Sequence, residues 1–195
     1  MFIELTDHLR CPSTHDERFL VLLPDRMEGR SVRSGQLGCP VCGRVFHLAD
    51  GVFDAGDAPP SGGEATALTG GALAALIGLH GPGGYLVVAG APAALSEEIA
   101  ELFPGVGLVA VNPPAGVADG DLVSVLRAGM LPLKSRSMRG VVLGAPFGGD
   151  PHWVGEAARV VLPGLRIVGE GGDPADDEVE VMASASGVWV ATPRR

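Results

Sequence analysis

The stretch YLVVAGAPAALSEEIAELFPGVGLVAVNPP, residues 85–114, decides the fold of this chain. It begins with a continuous apolar run, Tyr85 to Ala89, and ends with a second one, Leu108 to Val111. Between them, residues 93–103 place apolar side chains at helical spacing and acidic side chains on the opposite side. Continuous apolar runs are typical of strands buried on both faces, so this stretch predicts two parallel strands joined by a helix.

The same alternation of strand and helix continues through the rest of the C-terminal part. It predicts an α/β fold: a Rossmann-like, mostly parallel sheet with helices on both faces and a C-terminal β-hairpin at its edge. The further expected elements are helices over residues 64–79 and 151–162, strands over 122–126, 140–144 and 165–168, and a hairpin over 178–183 and 188–192.

The N-terminal part has a different composition. Residues 1–56 hold all three cysteines and three of the five histidines, and short apolar runs at 19–23, 31–37 and 44–48 predict strands. A stretch rich in proline and glycine follows, which is typical of a linker. We therefore expect a small β-rich module over 1–56, a linker over 57–66 and a Rossmann-like domain over 67–195.

Charge and hydropathy exclude several classes of function. The chain has 195 residues and a net charge of −9, which repels phosphate backbones and argues against binding to nucleic acid. Its apolar runs are all shorter than the ~18 residues that a membrane-spanning helix needs. The first seven residues carry acids where a signal peptide carries lysine or arginine. We expect a cytoplasmic protein that does not bind membranes.

The cysteines predict a metal site. Cys39 and Cys42 are separated by two residues and followed by Gly43, so both thiolates can face one tetrahedral Zn²⁺ while backbone N–H groups approach the sulfurs. Cys11 supplies a third thiolate, and His15 is the best candidate for the fourth ligand. His47 is the second choice for that ligand, and His8 is the third.

Two alternatives to zinc remain open at this stage. The cysteines could pack as small apolar residues in a site without metal. They could also form a redox pair, although such a pair normally begins a helix and Gly43 leads into strand-like residues. If zinc binds, its role is structural, because a small β-rich segment has little core of its own.

Residues 5–53 resemble the small zinc-ribbon activator subunit of tRNA and release-factor methyltransferases. The resemblance rests on Leu9-Arg10-Cys11-Pro12, on Cys39-Pro40-Val41-Cys42-Gly43 with the aromatic Phe46, and on Asp50-Gly51-Val52. The family's second cysteine would fall at Thr14, which is a poor zinc ligand. The resemblance implies a zinc ribbon that covers an apolar face of a methyltransferase, here within one chain.

Residues 64–195 are similar to class I S-adenosylmethionine-dependent methyltransferases. The segment EAARVVLPGLRI, residues 156–167, matches the region between the family's fourth and fifth strands, and Leu131-Pro132-Leu133 followed by Ser137 matches the stretch before strand four. The C-terminal hairpin also fits that family. These motifs belong to the scaffold, so they imply the fold rather than the chemistry.

The cofactor motifs that the resemblance implies are weakened. The family's acid at the end of strand one falls on Val87, and its three loop glycines fall on Ala89, Ala91 and Ala93, with Pro92 among them. Each added methyl group narrows the approach of a cofactor, and proline removes an N–H donor.

The family's ribose-binding acid is replaced as well. At that position stands Asn112, which hydrogen-bonds a hydroxyl less strongly than a carboxylate does. If S-adenosylmethionine binds at all, the residues that would hold it are Ala89, Gly90, Ala91 and Asn112.

Three functional hypotheses follow. The leading one is a non-catalytic, zinc-binding relative of methyltransferases that acts as a binding, scaffold or regulatory protein, through a protein partner or through self-association. The second is an active S-adenosylmethionine-dependent methyltransferase with a diverged cofactor loop. The third is a protein that binds another small ligand at the carboxyl ends of the strands.

Overall fold

The computed structural model describes residues 1–59, 65–174 and 177–194, and it joins the strands of both parts into one sheet. Three α-helices and three short 3₁₀ segments accompany the strands. The strands are β1 (Val21–Glu28), β2 (Ser31–Gly38), β3 (Val45–Ala49), β4 (Val52–Asp54), β5 (Tyr85–Ala89), β6 (Gly107–Val111), β7 (Val123–Arg127), β8 (Gly140–Leu143), β9 (Ile167–Glu170), β10 (Val179–Ala185) and β11 (Val188–Pro193). The helices are α1 (Gly70–Ile77), α2 (Ser96–Leu102) and α3 (Pro151–Val160), and the 3₁₀ segments are Ile3–His8, Ala91–Leu95 and Phe147–Gly149.

The strand order is β1-β2-β3-β4-β7-β6-β5-β8-β9-β11-β10. The strands from β4 to β9 in this order pair in parallel, and those at the two ends pair antiparallel. The expected mixed α/β fold, with a largely parallel central sheet and a C-terminal hairpin, is confirmed. No described helix has both the length and the apolar character needed to cross a bilayer.

The central sheet is buried on both faces, which explains its continuous apolar runs. In β5, Leu86 and Val88 face the core beneath α1 and α2, whereas Val87 and Ala89 face the core beneath α3. β6 alternates in the same way. A strand covered on both sides needs apolar residues at every position, so its sequence loses the period of two.

The N-terminal residues complete the cover of the α3 face. Leu5 and Leu9 are fully buried in the same core cluster as Val87 and α3. The N–H of Arg10 donates to the carbonyl of Pro132 (3.0 Å), and β4 pairs in parallel with β7. The N-terminal part is therefore packed on the sheet as well as joined to its edge.

A group of ion pairs and hydrogen bonds also joins the N-terminal part to α3. Arg10 donates to both carboxylate oxygens of Glu156 at 3.1 Å, and Arg159 donates to the same carboxylate at 2.8 Å. Nearby, Glu17 accepts from the hydroxyl of Ser135 at 2.7 Å and from its N–H at 3.0 Å. Burial opposes ionisation of Glu17, but these hydrogen bonds and the charge of Arg159 lower its pKa.

Replacing Glu17 with glutamine is expected to reduce the free energy of unfolding by about 1 kcal/mol at pH 7, since the carboxylate is partly exposed. The folded-state pKa of Glu17 is lowered, so its contribution is present above the ordinary pKa of glutamate and is lost as pH falls through the folded value. Urea unfolding of both proteins between neutral and strongly acidic pH measures this difference. A stability difference that persists at strongly acidic pH would contradict the account. Asp25→Asn serves as the control, because Asp25 is an exposed acid on β1.

Two predicted boundaries were wrong for local reasons. The first α-helix begins at Gly70, after the non-helical residues 65–69, because the side chain of Thr69 accepts from the N–H of Ala72 and caps the helix there. The first strand runs on through Pro24, which is compatible with its position at the edge of the sheet and with bulges beside it. Residues 60–64 of the predicted linker lie outside the described residues.

Candidate metal centre and ligand crevice

The Cys39–Cys42 segment forms a tight turn directly after β2. The N–H of Gly43 donates to the carbonyl of Cys39 at 3.0 Å, and the N–H of Cys39 donates to the carbonyl of Arg44 at 2.9 Å. Gly43 has φ +71°, a conformation that glycine adopts without strain. This turn places both sulfurs on the same side of the backbone, as the spacing predicts.

Four candidate ligand atoms converge beside this turn. Those of Cys11, His15, Cys39 and Cys42 all lie within 4.8 Å of one another. Sγ of Cys11 is 3.8 Å from Sγ of Cys42, and Sγ of Cys39 is 3.4 Å from Nε2 of His15. A tetrahedral Zn²⁺ with ordinary bond lengths separates two sulfurs by about 3.8 Å and a sulfur from a nitrogen by about 3.5 Å.

The imidazole of His15 is oriented for metal binding. Its Nδ1 lies 2.7 Å from the backbone carbonyl oxygen of Asp16. A carbonyl can only accept, so Nδ1 carries a proton, and in the neutral ring it is Nε2 that offers its lone pair on the side of the cysteines. Such a carbonyl partner on the other ring nitrogen is the usual support for a histidine ligand.

Backbone N–H groups favour the thiolate form of the two cysteines in the turn. The N–H of Arg44 lowers the pKa of Cys42 to about 6. Burial opposes ionisation of Cys39, but the N–H groups of Cys42 and Val41 outweigh it and lower its pKa. Burial raises the pKa of Cys11. The donor set, the spacing and the histidine orientation all fit a structural zinc ion of the Cys₃His type.

The other candidate ligands lie elsewhere. His47 is exposed on β3, opposite Gln36 and Asp54 in neighbouring strands. His8 packs edge-on against Tyr85, with ring centroids 5.3 Å apart. Thr14 is exposed, and His15 occupies the place beside it in the cluster.

The second feature is the crevice at the carboxyl end of β5, where Rossmann-like sheets bind ligands. Gly90 leaves the strand with φ +74° and ψ −145°, a region open essentially to glycine alone. A methyl group built on Gly90 would lie 2.9 Å from the ring of Phe147. The ring therefore covers the glycine at which a cofactor would approach the backbone.

Other buried side chains pack near this end of the sheet. Pro92 is buried and lies so close to Gly144 that a methyl group there would overlap its ring. Phe147 packs on Trp153 with ring centroids 4.4 Å apart, and both are buried. Of the residues the resemblance places in the loop, Ala89 is buried in the core and Ala91 is half-buried.

Asn112 uses its side chain to hold the next loop. Its Nδ2 donates to the carbonyl of Ala128 at 2.7 Å, and its Oδ1 accepts from the N–H of Ala128 at 3.0 Å. The side chain is buried, and the backbone has φ +48°, which asparagine tolerates better than most residues. Both polar atoms that could bind a ribose hydroxyl are thus paired with protein.

Replacing Asn112 with aspartate separates the two interpretations of this residue. The acid restores the family's ribose ligand, but it cannot donate to the carbonyl of Ala128, which it would face at the hydrogen-bond distance of 2.7 Å. We expect a loss of about 3 kcal/mol in the free energy of unfolding at pH 7. The loss should shrink at pH values where the new carboxyl is protonated and can donate.

Denaturant unfolding at neutral and acidic pH measures this effect. A variant as stable as the original protein, and further stabilised by S-adenosylmethionine, would instead support a cofactor role for position 112.

Sequence reasoning missed Phe147, although one signal was present. The segment Gly144-Ala145-Pro146-Phe147 follows the buried strand β8 and carries an aromatic residue where a ligand-binding loop usually carries small or polar ones. Arg139 donates to the backbone carbonyls of residues 80–83.

No model of a known protein family matches this sequence, and no curated protein does. Among solved structures, the chain is similar to one in the complex between the Haloferax volcanii Trm112 methyltransferase activator and a methyltransferase (21% identity, TM-score 0.38, 45% of each chain). It is also similar to the pyocyanin biosynthetic protein PhzM (16% identity, TM-score 0.44, 60% of this chain and 52% of that one). A third is the antibiotic-resistance methyltransferase Kmr (14% identity, TM-score 0.44, 65% of this chain and 93% of that one). The matched region thus spans about half of the first two structures.

Proposed function

We propose that this chain is a zinc-stabilised, non-catalytic protein with a methyltransferase-like fold, which acts by binding a protein partner or a second copy of itself. The observation that carries the proposal is the filled crevice at the end of β5. Phe147 lies over Gly90 and Pro92 lies against Gly144. Asn112 uses both polar atoms of its side chain in hydrogen bonds to the backbone of Ala128.

The zinc ion has a structural role in this proposal. Cys11, His15, Cys39 and Cys42 supply four ligands, which fills a tetrahedral shell and leaves no position for a substrate. When bound, zinc links the loop of Cys11 to the turn after β2. That link fixes the segment whose neighbour Leu9 is buried against the central sheet.

A binding role is supported by the ribbon's exposed surface. Several large apolar side chains there face solvent, which is common at interaction sites. The most exposed are Leu23 (65%), Val41 (55%) and Phe19 (52%). Light scattering over a range of concentrations separates self-association, in which the mass rises with concentration, from a monomer that binds another protein.

Thermal unfolding of the zinc-loaded protein with S-adenosylmethionine tests the non-catalytic proposal. A ligand at a hundred times its Kd adds about 2.7 kcal/mol to stability. We expect no change in Tm up to millimolar cofactor. A saturable rise in Tm would support the alternative, an active methyltransferase with a diverged loop.

A further inference from the structure

A small cavity lies at the carboxyl edge of the sheet, next to the filled crevice. Its volume is about 200 Å³, and it sits where β4 and β7 end and α3 begins. Three charged or titratable side chains line it: Arg44 from the metal-binding turn, Asp57 after β4 and His152 on α3. β4 pairs in parallel with β7, and the residues that follow these two strands line the cavity together.

Arg44 and Asp57 carry opposite charges on this one cavity without pairing with each other. Among the described residues, neither side chain forms an ion pair within 4.0 Å. The guanidinium of Arg44 lies over the ring of Phe46, 5.0 Å from its centroid. That contact leaves the N–H groups at the edge of the guanidinium available for a ligand.

The backbone around Asp57 is held in an uncommon conformation. Asp57 has φ +57°, which costs free energy in a residue other than glycine. Gly129 holds it in place: its N–H donates to the carbonyl of Gly56, and a methyl group on Gly129 would lie 2.8 Å from the carbonyl oxygen of Asp57. The backbone of Asp57 is therefore held beside the cavity, and its exposed side chain lines the cavity wall.

We propose that this cavity binds a small zwitterion of the α-amino-acid class, with its carboxylate on Arg44 and its ammonium group on Asp57. A guanidinium can bind a carboxylate through two parallel hydrogen bonds. Asp57 disfavours a simple anion such as phosphate, and Arg44 disfavours a simple cation. Ala128 and Met130 give the cavity an apolar wall for a short side chain.

The size of the cavity supports a ligand of few atoms. Sites for drug-sized molecules occupy about 300–1,000 Å³, and this one is smaller. The inference goes beyond the proposed function, because it concerns a different position on the sheet edge and does not depend on whether S-adenosylmethionine binds.

NMR titration of the full zinc-loaded chain with L-alanine tests the proposal. We expect saturable shifts of the backbone amides of Gly56 and Gly129, which border the cavity. Propionate lacks the ammonium group and ethylammonium lacks the carboxylate, so each should bind about tenfold more weakly. Absence of saturable shifts with L-alanine would overturn the proposal, and so would propionate that binds equally well.

Two conservative variants locate the binding groups. Arg44→Lys keeps the positive charge but cannot form the bidentate hydrogen bonds of a guanidinium. Asp57→Asn removes the negative charge. Each substitution should weaken the binding of L-alanine about tenfold. Arg26→Lys, at an exposed arginine on β1, is the matched control and should not change binding. Unchanged zinc content and Tm show that a variant is folded. If both folded variants bind L-alanine as tightly as the original protein, the assignment of Arg44 and Asp57 as binding groups is contradicted.

Discussion

Replacing Cys39 with serine is expected to remove the zinc ion and to unfold the N-terminal module. Serine is a poor zinc ligand, and Cys39 is one of the four candidate ligands that converge at this site. Zinc supplies roughly 10–16 kcal/mol to the folding of small zinc peptides, more than any single core side chain does. We expect about one zinc per chain in the original protein and close to none in the variant, with a large fall in Tm.

The effect should reach beyond the N-terminal part, because Leu5 and Leu9 cover the same core as Val87. Metal analysis and circular dichroism measure both effects. Thr14→Ala is the matched control, since Thr14 is exposed beside the cluster and contributes no ligand. A metal-free original protein of full stability would contradict the account, and so would zinc loss in the Thr14 variant.

Truncating Phe147 to alanine is expected to lower the free energy of unfolding by about 3–5 kcal/mol. The ring packs on Trp153 and covers Gly90, so its removal loses buried apolar area and leaves a cavity at the end of β5. The loss follows from a structural role. A ring that served only to contact a ligand would not be needed for folding.

Urea unfolding of the zinc-loaded variant measures this loss. Phe19→Ala gives a matched comparison, because Phe19 is half exposed at 52% and should change stability by less than about 1 kcal/mol. A Phe147 variant as stable as the original protein would show that the ring does not pack as described. It would also remove the main support for a filled crevice.

Local sequence patterns predicted the buried strands and pointed to the four candidate metal ligands that the structure brings together. β5, β6 and β8 stand out because strands covered on both faces are apolar at every position. The two-residue spacing of Cys39 and Cys42 fixes a local turn, and Cys11 and His15 are close in sequence. Each of these features depends on neighbours in the chain, which is why the sequence reveals them.

Contacts between distant residues were not predictable in the same way. The pairing of β4 with β7 and the hydrogen bonds of Asn112 to Ala128 join residues far apart in sequence. The place of Phe147 over Gly90 depends on how β5 and β8 lie side by side. Such contacts follow from tertiary packing, and one sequence carries no periodic signal for them.

The most direct test of the central claim is an NMR titration of the zinc-loaded protein with S-adenosylmethionine, observed at the amides of Gly90, Ala91 and Asn112. Phe147 lies against Gly90 and Pro92 lies against Gly144 in this crevice, so the account predicts that these signals do not move at millimolar cofactor. Saturable shifts at these three amides would contradict the account and would show that the crevice opens to receive the nucleoside.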